Sequence, residues 1–129
     1  MADASYPDDL KYHPEHDWVR LSDDGTATFG ITWFAQEALG ELVFFDPPEV
    51  GKRVSKDEPY AEVESVKAVS DVIAPLSGEI VEVNGGLGDA PETINDDPYE
   101  KGWMVKVRLS DVQEVDALMD AAAYQEILT

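Results

Sequence analysis

The chain has 129 residues, no cysteine, and a formal net charge of −19 from 28 acidic against nine basic side chains. That length suits a single domain, residues 1–129, able to bury a core without disulfides or metals, and the absence of cysteine excludes disulfide frameworks, thiolate metal sites and cysteine nucleophiles, so sulfur redox chemistry must arrive on a cofactor. The negative field argues against nucleic-acid and membrane-surface binding; no apolar run reaches spanning length and "MADASYPDDLKYHPEHD" lacks an export or transit pattern, so a soluble, cytoplasmic protein is expected.

Taken in chain order, "HDWVRL" (16–21) and "GTATFG" (25–30) read as strands rich in β-branched and aromatic residues. Thr32 then stands as an N-cap before "WFAQEAL" (33–39), where Phe34 and Ala38, and Ala35 and Leu39, recur at helical spacing until Gly40 offers a left-handed stop. Further strands follow at "ELVFF" (41–45), "YAEVE" (60–64), "VSDVI" (69–73) and "GEIVEVN" (78–84), separated by Gly, Pro, Asp and Asn clusters. Residues 84–98, "NGGLGDAPETINDDP", read as one long loop. "WMVKVRL" (103–109) alternates, with Trp103, Val105, Val107 and Leu109 on one face and Met104, Lys106 and Arg108 on the other. At the end, Ser110 and Gln113 match a capping box ahead of Val112, Val115, Leu118 and Met119, and Asp120 caps a second helix through "AAAYQEIL" (121–128). The pattern predicts a mainly β, antiparallel fold with a short early helix and C-terminal helices that cover a sheet edge or an open barrel end.

The stretch "VESVKAVSD" (63–71) sets a lysine at the centre of a predicted hairpin turn, Ser65–Ala68. No Gly, Asn or Pro lies there; a type I turn tolerates this, but turn propensity alone does not account for it. Lys67 at the apex has a long stem and an amine open to most directions, as attachment of a swinging prosthetic arm requires. The turn by itself equally fits an ordinary surface lysine. Acidic side chains are so numerous that each, taken alone, reads as a solvated surface charge. His16, with only His13 nearby and no cysteine, does not read as a metal ligand. Trp18, Trp33 and Trp103 read as core.

"VESVKAVSDVIAPLSGEIVEVN" resembles the attachment hairpin of lipoyl carriers and, more narrowly, that of the glycine cleavage H proteins. The resemblance extends to "HPEHDWV" (13–19), "GITWFAQEALGELVFF" (30–45) and "INDDPYEKGWM" (94–104), and so covers nearly the whole chain. It implies a two-sheet barrel-sandwich hybrid of the lipoyl-domain type and a monomeric, non-catalytic carrier. By the family pattern Lys67 bears lipoic acid as an amide, while Glu64, Gly51 and Gly78 match positions associated with recognition of the hairpin by a lipoate ligase or lipoyl transferase. Gly51 and Gly78 also read simply as turn residues that need positive φ.

The same resemblance implies that the arm accepts an aminomethyl group from glycine at glycine decarboxylase, yields it at an aminomethyltransferase, and is reoxidised by dihydrolipoamide dehydrogenase. A carboxylate in a partly desolvated cleft favours the protonated amine of the loaded arm and so slows its decay. The family's cleft positions fall at Glu15, Asp17 and Asp71. Asp17 stands where the family usually has glutamate, and Glu15 where a small polar residue is frequent. Three other readings remain open here: an H-like protein that relays lipoate to other enzymes, a hydrolase built on paired carboxylates such as Asp96 and Asp97, and a purely structural β-module. A biotinyl carrier fits less well, because Val66 and Ala68 flank the lysine where methionines are usual.

Overall fold

The computed structural model describes residues 6–128. Residues 1–5 and Thr129, which are the ends of the expected 1–129 unit and the start of the stretch read as lacking an export pattern, lie outside the described residues. In chain order the strands and helices are β1 (Lys11–His13), β2 (Asp17–Leu21), β3 (Thr26–Ile31), α1 (Trp33–Leu39), β4 (Leu42–Asp46), β5 (Arg53–Val54), β6 (Pro59–Ser65), β7 (Val69–Ile73), β8 (Gly78–Val83), α2 (Gly86–Asp89), α3 (Thr93–Asp96), β9 (Val105–Leu109) and α4 (Ala121–Ile127), with a 3₁₀ segment at Val112–Ala117 before α4. Two antiparallel sheets result: six strands in the order β1-β2-β3-β9-β8-β5, and three in the order β4-β6-β7. Neither sheet closes into a barrel, and the architecture is the expected barrel-sandwich hybrid.

Alternation along the strands puts Val19, Ala27, Phe29 and Val107 of the large sheet and Phe45, Val63 and Val72 of the small one into one buried cluster. A second cluster at the β1 edge joins Leu10, Tyr12, Trp18, Tyr99, Ala121 and Tyr124. Tyr12 and Tyr124 stack with ring centroids 4.9 Å apart, which seats α4 against β1 and covers that edge. Of the three tryptophans, Trp18 is fully buried and donates its indole N–H to the Pro98 carbonyl at 2.9 Å; Trp33 and Trp103 pack partly buried against the same cluster.

Most predicted elements are present, with differences of detail. β2 starts at Asp17, because His16 takes φ +73° and breaks the extended run. Short β1 and β5 were not predicted. Residues 84–98 are not one loop: they carry α2 and α3, each pinned by one buried side chain, Leu87 and Ile94. The alternation read for 103–109 holds only from Val105; Met104 is fully buried rather than outward, since the strand begins after it. The cap of the 3₁₀ segment is Asp111, which accepts from the Gln113 N–H at 3.0 Å, and not Ser110, whose own N–H goes to the Ser77 carbonyl. Asp120 caps α4 as expected, accepting from Ala123 at 2.8 Å. Among the described residues, no helix is long and apolar enough to cross a membrane.

Candidate functional site

The β6–β7 hairpin pairs Glu64 with Val69 and Val63 with Ser70, so Ser65–Ala68 form the turn. Ser65 explains how a turn without Gly, Asn or Pro is held. Its N–H donates to the Ala68 carbonyl at 2.8 Å, while its buried hydroxyl accepts from the N–H groups of Lys67 (3.2 Å) and Ala68 (3.0 Å). A serine at the first turn position is the one local signal of this device in the sequence. A second brace is long-range: Val66 donates its N–H to the Glu41 carbonyl at 3.1 Å. Lys67 is exposed and Val66 is 70 % exposed, so the tip presents an apolar side chain beside a free amine.

The loop behind the tip is set by α1. Thr32 caps the helix, accepting from Ala35 N–H at 3.3 Å, which is worth about 1 kcal/mol. Gly40 ends it at φ +87°, as read from the sequence. A Cβ on Gly40 would stand 3.3 Å from Lys67 Cε, so the lysine stem lies against bare backbone. Asn95 of α3 fixes this junction, accepting from the Leu42 N–H and donating to the Gly40 carbonyl and the Gln36 side-chain oxygen.

Beside the hairpin, a cleft of about 240 Å³ runs between the β1–β2 turn, α1 and the edge strand β7. Its walls are apolar, from Ile31, Phe34, Leu39 and Val63, and Glu15, Asp17 and Asp71 all line it. The three acids named from the sequence are thus brought together, in different environments: Glu15 and Asp71 are exposed, whereas Asp17 is 1 % exposed. Asp17 is pinned by pairing to His13 on one side and Ile31 on the other, and its Oδ2 is buried with no hydrogen-bond partner. Burial pushes the Asp17 carboxyl well above the usual carboxylate range, and the neighbouring Glu15 charge adds to it.

His16, rejected from the sequence as a ligand, also faces this cleft. Its Nδ1 lies 2.8 Å from the Tyr124 hydroxyl, which lies 2.8 Å from Thr32 Oγ1. Burial lowers the His16 pKa against the opposing pull of Glu15, and burial raises that of Tyr124. His16, Tyr124 and Thr32 thus form one hydrogen-bonded chain of side chains. This chain holds the imidazole against Phe34, with centroids 4.6 Å apart, at the cleft wall. The contact joins α4 to the cleft across 108 positions of sequence, which is why local reading missed it.

Gly51 and Gly78 serve different backbone needs. Gly51 has φ +95°, as read, and donates its N–H to the Ile80 carbonyl. Gly78 does not have positive φ: it lies buried in β8, where a Cβ would stand 2.2 Å from the Arg108 carbonyl oxygen, so close approach to β9 demands glycine. Glu64 is half-buried on β6 beside the turn. A larger hollow of about 770 Å³ lies between α1 and α3, lined by Gln36, Glu37, Glu41 and Asp96 among others; it is broad and holds none of the buried acid of the cleft. The Asp97 carboxylate accepts from the Lys101 N–H and the Asp97 main-chain carbonyl from the Gly102 N–H. Among the described residues no cluster of three or more His, Asp or Glu side chains is arranged to hold a metal ion.

Two packed antiparallel sheets that hold one lysine outward on a doubly braced turn, with an acid-lined cleft alongside, define the class of lysine-tethered prosthetic-group carriers. The family model for the glycine cleavage H-protein matches residues 10–129. A glycine cleavage system H protein of Halorhodospira halophila is 54 % identical over 125 residues, covering 97 % of this chain and 96 % of that one. One of Escherichia coli is 53 % identical over 125 residues, covering 97 % of each. A crystal structure of a glycine cleavage system H protein from Mycobacterium marinum superimposes with a TM-score of 0.88 at 45 % identity, over 95 % of this chain and 98 % of that one. The chain belongs to the glycine cleavage H-protein family, the lipoyl carriers of the glycine cleavage system.

Proposed function

We propose that Lys67 bears lipoic acid in amide linkage and that the chain, itself non-catalytic, shuttles the aminomethyl group of glycine among glycine decarboxylase, an aminomethyltransferase and dihydrolipoamide dehydrogenase in the cytoplasm. A lipoate ligase or lipoyl transferase would install the arm, with Glu64 beside the turn as a contact; Gly51 and Gly78 act indirectly, by shaping the backbone that carries the hairpin. The observation that carries this reading is the tip itself, in which Ser65 and the Glu41 carbonyl fix the turn while the amine stays exposed.

The residues present fit the group. Asp71 follows Lys67 by four positions, at most about 14 Å of fully extended chain, a span that an acylated lysine covers. Apolar walls from Phe34, Ala35 and Leu39 suit an aliphatic arm. The orphaned Oδ2 of Asp17 lacks the donor that a buried carboxylate requires. Bound there, lipoate supplies thiol–disulfide exchange and a carrier sulfur for the one-carbon amine. Asp17, supported by Glu15 and Asp71, holds the cationic amine end; a positive charge beside it restores the ionised carboxylate that burial disfavours. Phe34 and the His16 ring exclude water from one side.

Tethering the cargo raises its effective concentration at each partner and keeps it from bulk water. The test is reconstitution of glycine–bicarbonate exchange with glycine decarboxylase. Lipoylated wild type is expected to support exchange and Lys67→Arg is not. Exchange by the arginine variant, or none by the lipoylated chain, as for a protein that only relays lipoate, would overturn the reading.

A further inference from the structure

His13 is 5 % exposed, and both of its ring nitrogens are engaged. Nδ1 accepts from the Glu15 N–H at 3.0 Å; because a backbone N–H can only donate, that nitrogen carries no proton. The ring proton is therefore on Nε2, which donates to Asp57 Oδ1 at 2.7 Å. Asp57 is itself held: it takes φ +73°, a conformation aspartate tolerates better than most residues, and its N–H donates to the Ala74 carbonyl at 2.8 Å. One imidazole thus ties the β1–β2 turn to the turn between β5 and β6.

The first of these turns is His13–His16, closed by the His16 N–H on the His13 carbonyl at 2.9 Å, with Pro14 at the second position, where its fixed φ fits. Asp, Asn or Ser usually fills the first position and accepts the N–H two residues on. His13 does the same with a ring nitrogen, and what that bond holds is Glu15. Asp17 is already fixed by strand pairing on both sides. Glu15, by contrast, is exposed and makes no other hydrogen bond among the described residues. Glu15 and Ile73 line both the cleft and a second compartment of about 370 Å³ bounded by His13, Lys56 and Asp57. Glu15 therefore stands at the boundary between the two.

We propose that His13 is a positioning residue: by holding the Glu15 N–H it keeps that carboxylate at the end of the cleft, facing the cationic end of the loaded arm and closing the way into the second compartment. The proposal rests on the carrier reading and deepens it. The ring acts through Glu15 rather than on the arm. Without the bond to Nδ1 the turn loosens, Glu15 turns to water, and the amine loses one of the negative charges that keep it protonated. A neutral amine decays: its lone pair forms a C=N bond as the C–S bond breaks, the sulfur leaves as thiolate, and water converts the iminium to formaldehyde and ammonium.

The test uses two substitutions that divide the work of the ring. His13→Asn keeps an acceptor where Nδ1 stood and is too short to reach Asp57. His13→Gln keeps an N–H donor where Nε2 stood and lacks the acceptor for Glu15. Each gives up one hydrogen bond, so a purely structural His13 predicts the same behaviour from both. Amide exchange at Glu15 is measured by NMR on the chains before lipoylation. Each is then lipoylated, loaded from glycine by glycine decarboxylase and separated from the enzyme, and loss of the aminomethyl group is followed by intact mass. His13→Gln is expected to exchange at Glu15 and to lose the group about fivefold faster than wild type, the factor one neutral hydrogen bond contributes, while His13→Asn stays within about twofold. Glu15→Gln, which keeps the N–H and removes the charge, should lose the group as fast as His13→Gln with wild-type exchange. Equal loss from the two His13 variants, or wild-type loss from His13→Gln or Glu15→Gln, overturns the positioning role. A wild-type chain that cannot be loaded refutes the carrier reading itself, and this proposal falls with it.

Discussion

Replacing Asp17 by asparagine tests whether the cleft is built around an uncompensated acid. The unfolded chain releases this proton near 3.8, while in the folded chain burial holds it to higher pH. Between those two values the folded state binds more protons than the unfolded one, so stability falls as pH rises. Asparagine does not titrate, and its stability curve lacks that fall. An unpaired buried charge costs several kcal/mol, against about 1–3 kcal/mol for a neutral amide with one orphaned group. Asp17→Asn is therefore expected to be about 1–3 kcal/mol more stable than wild type at pH 8. At roughly 3–5 °C per kcal/mol for a chain of this size, that is about 3–15 °C in Tm. Thermal unfolding followed by circular dichroism from pH 5 to 8.5, away from the sequence pI of about 4.1, should show the gap widening with pH. A gap that is constant across this range, or a variant less stable at pH 8, would refute the assignment of Asp17 as an orphaned buried carboxyl.

Ser65→Ala removes an acceptor shared by two turn N–H groups, and a loss of about 1–2 kcal/mol in urea unfolding is expected, together with faster amide exchange at Lys67 and Ala68; unchanged exchange would mean that the Glu41 carbonyl suffices. Gly78→Ala must push β8 from β9, and a loss of about 3 kcal/mol or more is expected. Gly51→Ala meets no neighbouring atom and carries only the backbone strain of φ +95°, about 1–2 kcal/mol. Denaturant midpoints that rank these two glycines in the opposite order would contradict the structural account of both.

The hairpin, the α1 caps and the seven longer strands were legible because each rests on signals within a few residues: period-two alternation, Thr32 and Gly40 at the helix ends, Asp120 before α4. What escaped depends on contacts distant in sequence. Strand β5 is two residues long and exists only because β8 pairs with it. Helices α2 and α3 are single turns held by Leu87 and Ile94. The identity of the three cleft acids came through family resemblance, but their difference in burial did not, since nothing near Asp17 marks it as the buried one among so many acids.

The central claim is that the Lys67 amine, and no other, accepts lipoic acid. Intact mass after incubation with lipoate ligase, ATP and lipoic acid tests it most directly. The account predicts addition of a single lipoyl group to the wild type and none to Lys67→Arg, with the modified residue located at 67 by peptide mapping. An unmodified wild type in the presence of active ligase, or a lipoyl group on the arginine variant, would contradict it.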